Sequence, residues 1–306
     1  MRAVLFPGQG SQSVGMGLDF YNKFDTAKKV FEIVDNTLGF SLSNLILNGP
    51  EAELRLTQNT QPAIMAIGVS IFKVLNERFN LNLNNTKFFA GHSLGEYTAL
   101  VCAGSLTIEK ASYLLQQRGK SMQDAVPPNQ GAMTAVLGMT IDEVEKEISF
   151  LPKEEVCEVA NDNCDGQIVV SGTKKANEIL NTNLKKKKKR GIILPVSAPF
   201  HCSLMKKASE TMKDKIKNTT FLKPKPSIIS NVTAKAEEDI NKIKDLLIDQ
   251  IVSRVRWRES VNYMIKEGVT DFLEIGPGKV LSGLVKKINK DVKISNINSV
   301  EDIVND

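Results

Sequence analysis

Phe88-Phe89-Ala90-Gly91-His92-Ser93-Leu94-Gly95-Glu96 is the stretch that decides the fold. Its centre reads G-x-S-x-G, the pattern of a nucleophile elbow, a sharp strand-to-helix turn with a serine hydroxyl at its apex. Such a turn strains the serine backbone and brings strand and helix together, so its flanking positions favour residues without a Cβ. Thr86 to Ala90 is a short apolar, aromatic run suited to a buried strand. Glu96 to Ala103 can form the helix, with Glu96 near its positive N-terminus. The plainer alternative is a tight β-α turn whose serine only caps the helix.

Upstream of the elbow, Ala3 to Phe6 reads as a strand running into Pro7-Gly8-Gln9-Gly10-Ser11-Gln12-Ser13-Val14-Gly15-Met16-Gly17. This loop lacks the Gly-Lys-Ser/Thr ending of a phosphate loop, and Ser13 stands where a dinucleotide loop needs its third glycine. It is better read as a flexible turn that lets Gln9 approach something closely. Helical patterns follow at about 26–38, 41–47 and 58–79. The third is apolar on nearly every side, as a core helix is.

Downstream, Thr107 caps a helix reaching about Ala125, with the apolar stripe Ile108, Ala111, Leu115 and Met122. Arg118 occupies a position on that stripe, three beyond Leu115 and four before Met122. A lone buried charge is very costly. Either an internal Asp or Glu satisfies this arginine or a ligand does.

Between the Pro127-Pro128 pair and Pro195 the pattern changes. Strands at 132–137, 156–160, 167–171 and 191–196 alternate with helices at 141–150 and 176–187 in the order β-α-β-β-α-β, a ferredoxin-like arrangement. It predicts a small inserted domain near 129–198. Lys185-Lys186-Lys187-Lys188-Lys189-Arg190 closes its second helix, where lysines suit the helix C-terminus. Beyond it, the turn-rich Pro195 to Cys202 feeds a helix at about 203–217. Strands near 227–229 and 271–275 and helices at 239–252 and 257–267 make the larger part an α/β fold around a mostly parallel sheet.

Composition bounds the function. The chain has 306 residues, 42% of them hydrophobic, and a net charge of +5. Six of the 40 basic residues form the Lys185–Arg190 run; the remaining 34 are outnumbered by 35 acidic ones, so the chain as a whole is not basic. That disfavours nucleic-acid binding. Four cysteines without a C-x-x-C pair and two histidines offer little for a metal site, and point to reduced thiols. The first residues break at Pro7-Gly8, too early for a signal peptide, and no apolar run approaches the roughly 20 residues of a membrane span. A soluble, cytoplasmic protein is expected.

Ser93 needs a base, because a neutral hydroxyl is a weak nucleophile. His92 adjoins it and should point elsewhere in a tight elbow. His201, in a turn at the start of a helix, is the sensible base. Cys202 follows it, but nothing upstream of that cysteine forms an elbow.

Phe6-Pro7-Gly8-Gln9-Gly10-Ser11-Gln12, Gly91-His92-Ser93-Leu94-Gly95-Glu96-Tyr97, Gln116-Gln117-Arg118-Gly119, Phe200-His201 and Glu274-Ile275-Gly276-Pro277-Gly278 together resemble the malonyl-CoA:acyl-carrier-protein transacylase family. The resemblance implies an α/β-hydrolase-like catalytic domain at 1–128 and 199–306 with a ferredoxin-like insert at 129–198. It implies that Ser93 is acylated with His201 as base. The main-chain carbonyl of Gln250 would orient that histidine in place of a triad acid. Gln9 and the Leu94 N–H would form the oxyanion hole, and Arg118 would hold the malonyl carboxylate. Asn161, Asn163 and Gln167 would line the cleft. Leu94 and Phe200 match relatives that select malonyl units. Arg254 departs from the family, which often has proline there. Coenzyme A and phosphopantetheine thioesters would be substrates, with no metal or other cofactor. Acyl carrier protein would be the partner, met through Lys185–Arg190 by a monomeric enzyme. A serine hydrolase and a catalytically dead scaffold are the alternatives. The core-facing Arg118 is poorly explained in an esterase for neutral acyl groups.

Overall fold

The computed structural model describes residues 1–196 and 198–305, so Ser197 of the expected turn lies outside the described residues. Its strands are β1 (Arg2–Phe6), β2 (Phe88–Gly91), β3 (Gly131–Leu137), β4 (Cys157–Cys164), β5 (Gln167–Thr173), β6 (Arg190–Ile193), β7 (Ser227–Ile229), β8 (Ala236–Glu237), β9 (Asp271–Ile275) and β10 (Lys293–Ile297). They form two sheets.

The larger sheet has the order β10-β9-β1-β2-β7-β8 and is parallel except for β8. Both faces are covered, which is why its central strands are continuous apolar runs. Val4, Phe6 and Phe89 face the core built by helices Thr57–Arg78, Gly95–Cys102 and Ile108–Asp124. Ala3, Leu5, Phe88 and Ala90 face Trp257, Val261, Met264 and Leu281. Phe6 pairs with Gly91, so the loops leaving β1 and β2 emerge side by side.

Two glycines let main chains meet. A Cβ on Gly95 would lie 2.2 Å from the Phe6 carbonyl oxygen, so only glycine lets the elbow helix sit on β1. A Cβ on Gly119 would lie 2.6 Å from Gln58 Cα. That close crossing presses helix Ile108–Asp124 against the start of helix Thr57–Arg78.

The smaller sheet is antiparallel with the order β4-β5-β3-β6. Helices Ile141–Ile148 and Lys174–Lys186 complete the expected β-α-β-β-α-β order, each capped at its N-terminus by a threonine, Thr140 and Thr173. Val136, Val144, Ile168, Val170, Leu180 and Leu184 form a separate core.

The smaller sheet is stitched to the rest of the molecule at Val255, just ahead of helix Trp257–Lys266. Its N–H donates to Ala160 O at 2.8 Å and its carbonyl accepts from Asp162 N at 2.9 Å. The buried Asp162 carboxylate receives two bonds from Arg258, at 3.0 and 2.8 Å. Arg254, the departure from the family pattern, pairs with Glu145 of the small domain's first helix at 2.9 Å.

Some boundaries differ from the sequence reading. β4 runs on to Cys164, past the expected end at Ala160, because its pairing with β5 continues to Cys164 opposite Gln167, with Val255 adding backbone partners on its other edge at Ala160 and Asp162. β6 stops at Ile193, short of Val196, just ahead of Pro195, which has no N–H to donate. Helix Val280–Ile288, the short strand β8 and the edge strand β10 had no counterpart in that reading. The basic run does not simply end a helix. The helix stops at Lys186, Lys188 takes a left-handed turn at φ 56°, and Arg190 opens β6.

Candidate active site

The site gathers at the carboxyl ends of the parallel strands, where the open edge of such a sheet leaves a crevice. Ser93 follows β2 with φ 54°, the strained left-handed conformation of an elbow. Asn231, just after β7, holds this turn from both sides. Its Oδ1 accepts from Ser93 N at 2.7 Å and its Nδ2 donates to Gly91 O at 2.7 Å.

His201 reaches the serine across the chain. Its Nε2 lies 2.8 Å from Ser93 Oγ and its Nδ1 lies 2.8 Å from the main-chain oxygen of Gln250. A carbonyl can only accept, so Nδ1 carries the proton and Nε2 presents its lone pair to the hydroxyl. Burial, aided by the nearby Arg118 charge, pushes the His201 pKa down to about 3. The imidazole is therefore neutral and able to accept a proton. Cys202, next in sequence, is a buried thiol pushed up to about 11 by burial, which suits it poorly to attack.

Arg118 is buried, with 1% of its surface exposed. Its Nη1 donates to Gln61 Oε1 at 2.6 Å, and its Nη2 donates to Gln250 Oε1 at 2.8 Å and to Ser93 Oγ at 3.1 Å. Every one of these acceptors is neutral, and the buried Nε has no acceptor among the described residues. No carboxylate among them pairs directly with the guanidinium. The carboxyl group that interacts with it electrostatically is that of Glu96, whose Oε2 accepts from Gln250 Nε2 at 2.8 Å and from Asn231 N at 3.1 Å. Burial raises the Glu96 pKa to about 7 against these bonds.

A cleft of about 760 Å³ opens over the serine between the two sheets. Gln9, Ser93, Leu94, Arg118, Asn161, Asn163, Gln167, Phe200 and His201 all line it. Gln250 stands behind them, fully buried. Gln9 Nε2 makes one long bond, 3.4 Å to Thr57 Oγ1, and the Leu94 N–H meets no acceptor among the described residues. Asn163 is already engaged by His92 at 2.9 Å, and Gln167 by Lys287 at 2.9 Å. His92 does turn away from the serine: it bonds across to the small domain and lies against the Trp257 ring.

The acyl transferase domain family matches residues 4–303 of this chain. The malonyl CoA-acyl carrier protein transacylase of Bacillus subtilis is 44% identical over 303 residues, spanning 98% of this chain and 94% of the relative. That of Haemophilus influenzae is 40% identical, spanning 97% and 95%. The chain belongs to the malonyl CoA-acyl carrier protein transacylase family.

Solved structures of this family superpose closely. The acyl-carrier-protein S-malonyltransferase of Bartonella henselae matches at a TM-score of 0.96 with 42% identity, covering 99% of this chain and 97% of that one. A type II PKS acyl-carrier protein has been solved in complex with its malonyl-transacylase, and that structure matches at a TM-score of 0.95 with 36% identity, covering 99% and 97%.

Within this transacylase fold, sequence reasoning missed Gln61, Asn231 and the placement of Glu96. Asn231 and Gln61 reach the site from distant segments, and nothing in their own neighbourhoods marks them. Glu96 did carry a signal: it is the one charge in the otherwise uncharged helix Gly95–Cys102. Its place at the start of a helix accounts for a favourable charge there, but the side chain is 3% exposed and bonded into the site.

Proposed function

We propose that the chain moves a malonyl group from coenzyme A to the phosphopantetheine thiol of acyl carrier protein, through an acyl-enzyme on Ser93. The observation that carries the malonyl specificity is Arg118, a desolvated guanidinium with an unused donor, in contact with the nucleophile and without a carboxylate of its own. A planar guanidinium grips a carboxylate through paired hydrogen bonds.

His201 Nε2 takes the Ser93 proton as Oγ attacks the thioester carbonyl. The Leu94 N–H and the Gln9 amide stabilise the oxyanion. The tetrahedral intermediate collapses, the C–S bond breaks, and His201 returns the proton to the leaving sulfur. The carrier thiol then gives its proton to His201 and attacks the acyl-serine. Ser93 Oγ leaves, recovering the proton. Gln250 holds His201 in its tautomer with its main-chain oxygen. Phe200 and Leu94 bound the acyl pocket, and Asn161, Asn163 and Gln167 line the wall beside the thioester. The scheme needs no cofactor.

This reading divides the chain into a catalytic domain at 1–128 and 199–306 and an insert at 129–198. It places a monomeric enzyme in the cytoplasm and uses Lys185–Arg190 to meet an acidic carrier. The deciding experiment is an intact mass after brief exposure to malonyl-CoA. Parent protein should gain one malonyl group and lose it to added carrier thiol, and Ser93→Ala should gain none. Loss of the malonyl group to water at the same rate with or without carrier would favour the hydrolase reading.

A further inference from the structure

Glu96 is a buried carboxylate that the scheme above leaves without work. Its carboxylate makes no hydrogen bond to Ser93 or to Arg118 among the described residues. Its Oε2 meets the Gln250 side-chain amide at 2.8 Å and the Asn231 main-chain N–H at 3.1 Å.

The Gln250 amide has a donor end and an acceptor end. Its Nε2 donates to Glu96 Oε2 and to Ser93 O, the latter at 3.1 Å. The Ser93 carbonyl can only accept, and the Glu96 Oε2 is an acceptor here because it also receives the Asn231 N–H. With the nitrogen thus committed, Oε1 must face the other way, and there it accepts from Arg118 Nη2 at 2.8 Å. Were the amide free to flip, an NH2 group would confront the guanidinium, donor against donor. Arg118 would then lose one of its three acceptors and its station beside Ser93 Oγ.

We propose that Glu96 is a positioning residue for acyl selection: by fixing which end of the Gln250 amide faces Arg118, it sets the guanidinium where a substrate carboxylate is bound. The inference rests on the reading of Arg118 as the carboxylate clamp. Glu96 acts through two residues and never meets the substrate. Asn231 ties it to the nucleophile as well, because the residue that donates to Glu96 also holds the Ser93 N–H and the Gly91 carbonyl. Arg118, Tyr97 and His201 are the other titratable groups around this buried cluster; Arg118 bonds to the Gln250 side chain and His201 to its main-chain oxygen, so only Arg118 depends on which end of the amide faces it.

Two substitutions separate reach from charge. Glu96→Gln keeps an acceptor oxygen at the same distance and loses the charge. Glu96→Asp keeps the charge and withdraws the oxygen by one methylene. The readout is the ratio of kcat/KM for malonyl-CoA to that for acetyl-CoA. Glu96→Gln should hold the parent ratio to within about threefold, whereas Glu96→Asp should lower it by about tenfold or more, the effect of a misplaced hydrogen bond to a charged group. A parental ratio in Glu96→Asp overturns the proposal. So does the reverse ranking of the two variants, which would make the charge decisive, or an equal loss on both donors, which would mark a merely structural residue. Melting curves confirm that each variant is folded, and if Glu96→Asp does not fold, a lowered ratio in Glu96→Gln still overturns it. Arg118→Ala belongs in the same assay. If its ratio stays parental, the clamp reading itself has failed; if it falls while Glu96→Asp stays parental, only the present proposal has.

Discussion

Arg118 Nη2 and Ser93 Oγ are hydrogen-bonded at 3.1 Å, so the buried guanidinium and the elbow serine are in direct contact. The serine oxygen accepts from the guanidinium while it faces His201 Nε2. In the proposed scheme one cation therefore does two things: it favours the developing alkoxide and it marks where a second negative charge can sit.

Arg118→Ala removes both effects. Removing one partner of a desolvated charge pair costs about 3–5 kcal/mol, so malonyl transfer should fall by about a hundredfold or more relative to acetyl transfer. Arg118→Lys should recover only part of it, keeping the charge without the fork. Measuring kcat/KM on both donors checks this, and an unchanged malonyl preference in Arg118→Ala would falsify the clamp.

Gln9 lies in the loop after β1 and lines the cleft, and among the described residues its amide is held by only one long bond. If that amide turns to the oxyanion, Gln9→Ala should raise the acylation barrier by about 3 kcal/mol. Stopped-flow acylation by malonyl-CoA reads this directly. A rate close to the parent's would move the second oxyanion donor to another group.

These roles were not equally legible in the sequence. Ser93 and Arg118 each announce themselves within a few residues, one through glycine spacing and the other through a charge on an apolar stripe. Their supports do not. Gln61 is 57 positions from Arg118 and Asn231 is 138 positions from Ser93. Polar residues in unremarkable contexts acquire meaning only when the parallel sheet brings its strand ends together. The same holds for β10, an edge strand with only one neighbour, β9, and too few buried side chains to show a pattern.

Glu96 gives a pH signature. Burial raises its pKa from 4.5 to about 7, so the folded state prefers the protonated form. That contribution to stability is complete below 4.5 and is lost as pH rises through about 7. Glu96→Gln has nothing to titrate there. The stability of the parent relative to this variant should therefore drop by about 3 kcal/mol across that window. Denaturant melts of both proteins on either side of the window measure it, and parallel pH profiles would show that Glu96 does not titrate there.

The basic run offers a test of carrier recognition. Lys187, though exposed, is paired with Glu147 and Lys189 with the Gly138 carbonyl, whereas the exposed side chains of Lys185, Lys186 and Lys188 have no partner among the described residues. Replacing these three with Gln should slow transfer to an acidic carrier at low salt and leave acylation by malonyl-CoA nearly intact. The difference should shrink as salt is added. Equal carrier kinetics at low salt would assign docking to another surface.

The Val255 stitch bears on how such enzymes can be recombined. Because β4 borrows main-chain partners from Val255, and Asp162 and Glu145 borrow cations from Arg258 and Arg254, the insert is not a cassette bounded by its two crossing points. A chimera that exchanged residues 129–198 alone would leave the recipient's 254–258 segment facing a foreign edge. Carrying that short segment along with the insert should be what separates a hybrid that keeps its cleft from one that loses it.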